Sequence, residues 1–175
     1  MSLKHQITLI LTLTYFYGIS YATPNVEIIQ SCKNLTAANS NVTMTELSQP
    51  VANEFPDANC EDQYETSYDN KKYGHVSCNN EPYLIVASAK YKLNTANNLS
   101  VNPSVQPNIP LLATSGFWKI DKGSDSYLCV FSVLSNAGTA SHAIQYYIVE
   151  HAFDTVSPIA LNFYFFDKDI APLFP

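Results

Sequence analysis

The sequence predicts a mainly β protein, an antiparallel meander of strands in a sandwich-like arrangement. The second half of the chain is a series of β-like segments separated by turn-forming residues. Two of these segments, 127–135 and 142–153, carry apolar side chains on both faces, which is typical of strands that are covered on both sides. The one helix candidate, residues 44–55, is interrupted by Pro50. Strands therefore dominate the prediction.

The first half of the chain is polar and predicts few regular elements. Residues 26–32 predict a short strand, and residues 44–55 predict a helical turn or two. Residues 57–80 are acidic and contain several tyrosines, which favours a long loop or an irregular hairpin held by its cysteines. We therefore expect the main sheet to come from the residues that follow.

The second half predicts five strands at short intervals. In residues 83–93 the apolar and polar side chains alternate, as they do in a strand with one buried face. The sequence DKGSD at 121–125 predicts a hairpin turn, and the Pro- and Asn-rich residues 94–110 predict a surface loop. The five strands are expected at residues 83–93, 116–120, 127–135, 142–153 and 160–166.

A helix can cover one face of a sheet as well as a second sheet can. The alternative to the sandwich is therefore an α+β fold, in which an N-terminal helix lies over the antiparallel sheet. Both arrangements satisfy strands that are apolar on two faces, and the pattern alone does not choose between them.

The first 22 residues have the pattern of a secretory signal peptide. Lys4 precedes the apolar residues 7–19, and the small residues Ser20 and Ala22 precede the expected cleavage site. The apolar stretch is shorter than the roughly 20 residues that a membrane-spanning helix needs. We therefore expect a signal peptide at 1–22 and a single β-rich domain at 23–175. We expect this domain to be exported to the periplasm or the extracellular space and to have no membrane span.

The charge of the chain argues against anionic partners. The sequence has 15 acidic residues, 9 Lys and no Arg. Without Lys4 the net charge is near −7, so the chain lacks the basic surface with which proteins displace the counterions of nucleic acids. The missing Arg also removes the side chain best suited to grip phosphate in a bidentate way. No nucleic-acid partner is expected.

Four cysteines in an exported chain predict two disulfides, because the compartment is oxidising. They are Cys32, Cys60, Cys78 and Cys129. No CxxC pair occurs, which argues against a zinc site and a thioredoxin-type redox site. Three pairings are possible, and sequence alone does not choose among them. A bond between Cys60 and Cys78 would close the polar segment between them and leave Cys129 for Cys32. A nucleophilic Cys129 is disfavoured, because its apolar neighbours neither expose nor acidify a thiol.

Motifs for catalysis, cofactors and metals are largely absent from the sequence. His142 and His151 are nine residues apart on one predicted strand, so they face opposite sides and do not share a metal ion. Residues 57–61 begin like a calcium-binding loop, but Asp62 occupies the position that requires Gly. A looser calcium site stays open for the acids of this segment, Asp57, Glu61, Asp62, Glu65 and Asp69. We expect no cofactor, and enzymatic activity is less favoured than binding.

The tyrosines of the polar segment predict a binding surface. Tyr64, Tyr68 and Tyr73 have almost only polar neighbours, and His75 lies beside them in the chain. Exposed aromatic side chains are typical of surfaces that bind proteins or sugars. These four residues are therefore the candidate binding surface, and a protein or a glycan is the expected partner.

Three functions are consistent with this pattern. The favoured one is a small, exported, disulfide-stabilised binding protein. The second is an exported hydrolase with a site around His75, His142 or His151, assembled from residues distant in sequence. The third is a structural component of an envelope assembly that makes contact through an uncovered strand at 160–166.

Overall fold

The computed structural model describes residues 23–154 and 158–167, so the signal peptide predicted at 1–22 lies outside the described residues. One α-helix and eleven strands are present in these ranges. The helix is α1 (Val26–Asn34), and the first six strands are β1 (Val42–Glu46), β2 (Val51–Ala52), β3 (Cys60–Tyr68), β4 (Lys71–Cys78), β5 (Glu81–Val86) and β6 (Ala89–Lys92). The others are β7 (Asn97–Asn98), β8 (Gly116–Lys122), β9 (Asp125–Val133), β10 (Ile144–Glu150) and β11 (Ala160–Phe165).

The strands form two sheets, which confirms the predicted mainly β, sandwich-like fold. Sheet A has the order β1-β8-β9-β10-β11-β7, and sheet B has the order β2-β3-β4-β5-β6. Strands β8 to β11 are antiparallel neighbours in sequence order, as a meander requires. Consecutive antiparallel strands need only a short connection, and the turn between β8 and β9 consists of two residues, Gly123 and Ser124.

The main hydrophobic core lies between the two sheets. Sheet A contributes Phe117, Tyr147 and Phe163 to it, and sheet B contributes Tyr73 and Leu84, all at most 1% exposed. The hydroxyl of Tyr147 donates to the carbonyl of residue 108 at 2.6 Å, so its buried polar group is hydrogen-bonded. The two inner faces therefore supply most of the apolar surface that folding removes from water.

The helix α1 covers the opposite face of sheet A. Ile28 and Cys32 of α1 pack with Ile120, Cys129 and Ile148 of the sheet. The strands that were predicted to be covered on both sides, β9 and β10, thus have sheet B on one face and α1 on the other. Elements of both sequence-based arrangements are present, a sandwich and an N-terminal helix over the sheet.

The strand predicted at residues 26–32 is wrong, because this segment is helical. The Asn25 side chain accepts a hydrogen bond from the amide of Glu27, which caps the helix, and Leu35 ends it in a left-handed conformation. Ile28 and Cys32 are four residues apart and share the buried face of the helix. A short apolar run of this length does not distinguish helix from strand by pattern alone.

Two further segments differ from their predictions, and for a third the structure decides between two predicted alternatives. The helical turns predicted within 44–55 are absent, because this segment contains the end of β1 and the strand β2. The single strand predicted at 83–93 is the hairpin β5–β6, whose turn residues Ala87 and Ser88 have positive φ values of 50° and 71°. For residues 57–80 the sequence predicted either a long loop or an irregular hairpin held by its cysteines, and the structure shows the second of these. It is the hairpin β3–β4, whose register is irregular between Glu61 and Tyr64 and whose turn at residues 69 and 70 also has positive φ values.

The structure pairs the cysteines as Cys32–Cys129 and Cys60–Cys78. The first disulfide joins α1 to the centre of β9, and both of its cysteines are fully buried. The second joins directly opposite residues of β3 and β4, whose Cα atoms are 3.9 Å apart. Two disulfides fit a small exported protein. In the described part of the chain no helix is long and apolar enough to cross a membrane.

Removing the disulfides should destabilise the protein unequally. Cys32 and Cys129 are 97 residues apart in sequence, and Cys60 and Cys78 are 18 apart. Because a longer closed loop restricts the unfolded chain more, we expect C32A/C129A to lose about 4 to 5 kcal/mol of unfolding free energy and C60A/C78A about 3 kcal/mol. Urea denaturation of the two double variants measures both losses. Equal losses, or a larger loss for C60A/C78A, would contradict this ranking.

Candidate functional site

The hairpin β3–β4 places the predicted surface residues largely inside the protein. Tyr64 lies opposite His75 in the hairpin, and Tyr68 lies opposite Lys71. Tyr73 is 1% exposed in the core between the sheets, where its hydroxyl donates to the carbonyl of residue 48 at 2.7 Å. Since side chains alternate along a strand, the aromatic residues face sheet A and their polar neighbours face outwards. Tyr73 and His75 are therefore buried and contribute no exposed surface.

The remaining two tyrosines are partly buried. The ring of Tyr64 lies 5.1 Å from the ring of His75, centroid to centroid. Tyr68 meets Phe153 edge to face at 5.9 Å, and the Lys119 ammonium lies 5.9 Å from its ring centroid. These contacts use part of each ring, and the rest is partly exposed. The period-two alternation of aromatic and polar residues was the sequence signal that could have revealed this orientation.

His75 is a buried histidine without a hydrogen-bonding partner. It is 3% exposed, and neither ring nitrogen has a hydrogen-bonding partner in the structure. Burial disfavours the charged ring and lowers the pKa of His75 to about 4, although the nearby Asp62 carboxylate opposes this shift. The ring is consequently neutral at physiological pH. It lies against Tyr64 and stands opposite the buried Leu84, an environment that suits a neutral side chain.

The outer face of sheet B carries a different feature, a strap formed by residues 51–58. The strap begins as β2, which pairs with β3, and further along it Asp57 contacts Lys90 of β6. Its backbone is fixed by Gln63, whose carbonyl accepts from the amide of Asn53 at 2.8 Å and whose side chain accepts from the amide of Asp57 at 3.0 Å. Gln63 is itself 6% exposed, so the two hydrogen bonds hold the strap at a buried point.

Two ion pairs flank the strap. Asp57 of the strap lies 2.6 Å from the ammonium of Lys90 on β6, and Glu65 lies 2.6 Å from that of Lys72. The hydrogen bond from Lys90 lowers the pKa of the Asp57 carboxyl. Both acids belong to the looser calcium site left open by the sequence, and each already has an ammonium partner. Within residues 23–154 and 158–167, no group of three His, Cys, Asp or Glu residues is placed to hold a metal ion.

A polar cleft of about 210 Å³ lies between the strap and the sheet. It is lined by Asn53, Asp57, Gln63, Glu65, Lys72, Ile85, Ser88 and Lys90. The lining contains donors, acceptors and charges of both signs around one apolar side chain. Such a cleft can form hydrogen bonds with a polar group, but its positive and negative charges are paired with each other and give it no strong net charge.

Phe55 is the most exposed large apolar side chain among the described residues, with 84% of its surface accessible. Its backbone amide donates to the Asn53 side chain at 2.9 Å, which closes a turn at the tip of the strap. Val51, at the start of the strap, is 65% exposed. The strap thus presents two apolar side chains on a hydrogen-bonded backbone. Sequence reasoning missed this surface, because an isolated Phe among polar residues has no periodic signal.

The other candidate sites have less to support them. His151 Nδ1 lies 2.8 Å from Asp154 Oδ2, and His142 is exposed. A cleft of about 640 Å³ lies at the turn between β8 and β9, and one of about 210 Å³ lies beside Tyr91 and Asn162. These two clefts and the cleft between the strap and sheet B have no histidine in their linings. The pocket that a histidine-centred hydrolase requires is therefore not among them.

Strand β11, predicted to be an open contact strand, is covered on both edges. It pairs with β10 on one side and in parallel with β7 on the other. Beyond β7, the amides of Leu99 and Val101 donate to the carbonyls of Phe163 and Phe165 at 2.9 and 3.0 Å. The backbone groups needed for strand addition are therefore already used within this chain.

Comparison with known proteins gives no guide to function, so the functional proposal rests on the fold and the strap. The chain matches no protein-family model, no curated protein and no solved structure.

Replacing His75 should remove an acid-dependent loss of stability. The pKa of His75 is about 4 in the folded protein and near 6.5 in the unfolded chain. As the pH falls from 6.5 to 4, the unfolded chain binds a proton that the folded protein excludes, so stability is lost in this window. The wild type should therefore lose roughly 2 to 3 kcal/mol of unfolding free energy through this histidine between pH 7.5 and pH 4.5, and His75→Leu should not show this loss.

Urea denaturation at the two pH values measures the effect. His142→Gln is the matched control, because the His142 side chain is exposed and is not removed from water when the protein folds. If the difference in unfolding free energy between His75→Leu and the wild type is the same at both pH values, His75 is not the source of the acid-dependent loss of stability.

Proposed function

We propose that this chain is an exported binding protein that recognises a protein partner through the strap 51–58. In this proposal residues 1–22 direct export and residues 23–175 form the binding domain in the periplasm or outside the cell. The observation that carries the proposal is the exposure of Phe55 on a strap whose backbone is fixed by hydrogen bonds.

The energetics of an exposed Phe support binding. A Phe side chain that stays in water forgoes roughly 2 kcal/mol of burial energy, and a partner with an apolar pocket can supply that burial. Aromatic side chains at the centre of an interface contribute a large share of binding energy. Phe55, 84% exposed, is available for this role, and Val51 adds apolar area nearby.

The strap is also pre-organised. Asn53 and Asp57 on either side of Phe55 are both hydrogen-bonded to Gln63, so little backbone freedom remains to be lost on binding. The ion pair Asp57–Lys90 joins the strap to β6, and the pair Glu65–Lys72 lies on the strands β3 and β4 beside it, so charged groups are available for a polar rim. We propose a protein over a glycan because both exposed large side chains of the strap, Phe55 and Val51, are apolar, and an aliphatic side chain such as Val51 adds area to a protein interface but forms no hydrogen bond with a sugar.

Cross-linking tests the proposal and identifies the partner in the same experiment. The mature chain with a photo-reactive phenylalanine at position 55 is irradiated in the extracellular fluid and on the cell surface of its source. We expect a protein adduct that an excess of unlabelled wild-type chain prevents and an excess of Phe55→Ser does not. A photo-reactive group at Val101, which is 57% exposed outside the strap, is the matched control. A glycan adduct, or equal competition by Phe55→Ser, would overturn the proposal.

Phe55→Ser should weaken binding without weakening the fold. We expect a loss of about 2 kcal/mol or more in binding free energy, roughly a 30-fold higher Kd for the captured partner. The unfolding free energy should change by less than about 0.5 kcal/mol, because the side chain is exposed. Calorimetric titration measures the first effect and urea denaturation the second, with Val101→Ser as the control for both.

A further inference from the structure

The two disulfides differ in their accessibility to an attacking thiol. Cys32 and Cys129 are both 0% exposed, beneath α1. Cys60 is partly exposed at the open end of the β3–β4 hairpin, and its partner Cys78 is 8% exposed. Because exchange requires a thiolate to reach a disulfide sulfur, the pair Cys60–Cys78 is accessible from solvent and the pair Cys32–Cys129 is not.

A cation lies against both sulfurs of the accessible disulfide. The Lys90 ammonium is 3.2 Å from Cys60 Sγ and 3.6 Å from Cys78 Sγ. A positive charge at this distance stabilises a thiolate, and a more stable thiolate is a better leaving group in exchange. Asp57 lies 2.6 Å from the same ammonium and offsets part of its charge.

The fold around this disulfide does not depend on it alone. Strands β3 and β4 pair at six further positions. One is Glu61↔Ser77 beside the disulfide, and the other five, from Tyr64↔His75 to Tyr68↔Lys71, follow after an irregularity in the register. Strand β4 also pairs with β5 along Tyr73–Cys78. Opening the disulfide therefore leaves the two cysteines opposite each other in an intact ladder, where they can close again.

We propose that Cys60–Cys78 is a thiol–disulfide exchange site that takes a small thiol as its reducing partner. The thiolate of the small molecule attacks Cys60 Sγ, the S–S bond breaks, and Cys78 leaves as a thiolate beside Lys90. A second small thiolate then attacks the small-molecule sulfur of the mixed disulfide. Cys60 leaves as a thiolate, and the small molecule is released as its own disulfide. Two electrons pass from two small thiols to the protein. This site goes beyond the proposed binding function and does not depend on it.

Timed reduction of the mature full chain with dithiothreitol tests the site. Samples are quenched, alkylated and mapped by mass spectrometry, and far-ultraviolet circular dichroism is followed in parallel. We expect Cys60 and Cys78 to be alkylated while Cys32 and Cys129 stay paired, with no change in the dichroism spectrum. Alkylation of all four cysteines at one rate, or loss of the spectrum together with opening, would overturn the proposal.

Substitutions of lysine separate the effect of the charge from that of access. Lys90→Gln should slow the opening of Cys60–Cys78 about three- to tenfold, and Lys90→Arg should restore most of the rate because it keeps the charge. Lys92→Gln, on the same strand, is the matched control, since Lys92 pairs with Glu81. An unchanged rate in Lys90→Gln would remove the role of the cation.

A third variant tests whether the strap acts as a barrier. Asp57→Asn breaks the ion pair that ties the strap to β6 but keeps the Lys90 charge beside the sulfurs. We expect it to react at the wild-type rate or faster. If Asp57→Asn and Lys90→Gln both accelerate opening to the same extent, access alone controls the reaction and the proposed charge effect is wrong.

Discussion

The burial of both faces of strands β9 and β10 is the constraint on which the rest of the structure depends. Leu128 and Val130 face sheet B, whereas Cys129 and Ile148 face α1. Neither face can be left in water without losing the burial energy of several large side chains. The chain therefore needs two covering layers, and both come from residues that precede β7, α1 on one face and sheet B on the other.

The helix α1 is bonded covalently to the middle of β9, one of the two strands that are buried on both faces. Cys129 lies at the centre of β9, and its disulfide to Cys32 fixes α1 over the sheet. Sheet B forms the other layer, and its own outer face also has apolar residues to cover. Val76 and Ile85 are at most 2% exposed on that face. The strap and the Lys90 side chain lie on the same face. The segment that carries the candidate binding surface is therefore also on the face where this small second hydrophobic cluster lies.

This arrangement explains why the aromatic residues of the hairpin and the aromatic residue of the strap differ in role. Tyr73 and His75 face sheet A and fill the space between the layers, at the cost of leaving the ring nitrogens of His75 without partners. Phe55 lies beyond the outermost layer, where no part of the described chain covers it. Packing demand thus accounts for the first two residues and not for Phe55, which is why Phe55 carries the functional proposal.

The sequence by itself determined the local features of this protein. Alternation and turn residues predicted the strands of the meander, and residues 127–135 revealed a strand covered on both faces. An even number of cysteines predicted two disulfides. These signals are local, because side-chain alternation and turn chemistry depend on near neighbours in the chain.

Only the tertiary structure decided which side chains are inside. A helix and a strand both satisfy the short apolar run at 26–32, and the packing of Ile28 against sheet A favours the helix. Tyr73 is buried because sheet A covers the inner face of its strand, and Phe55 is exposed because no described residue covers the strap. Alternation separates two faces of a strand, but the distant element that packs against one of them determines which face leaves water.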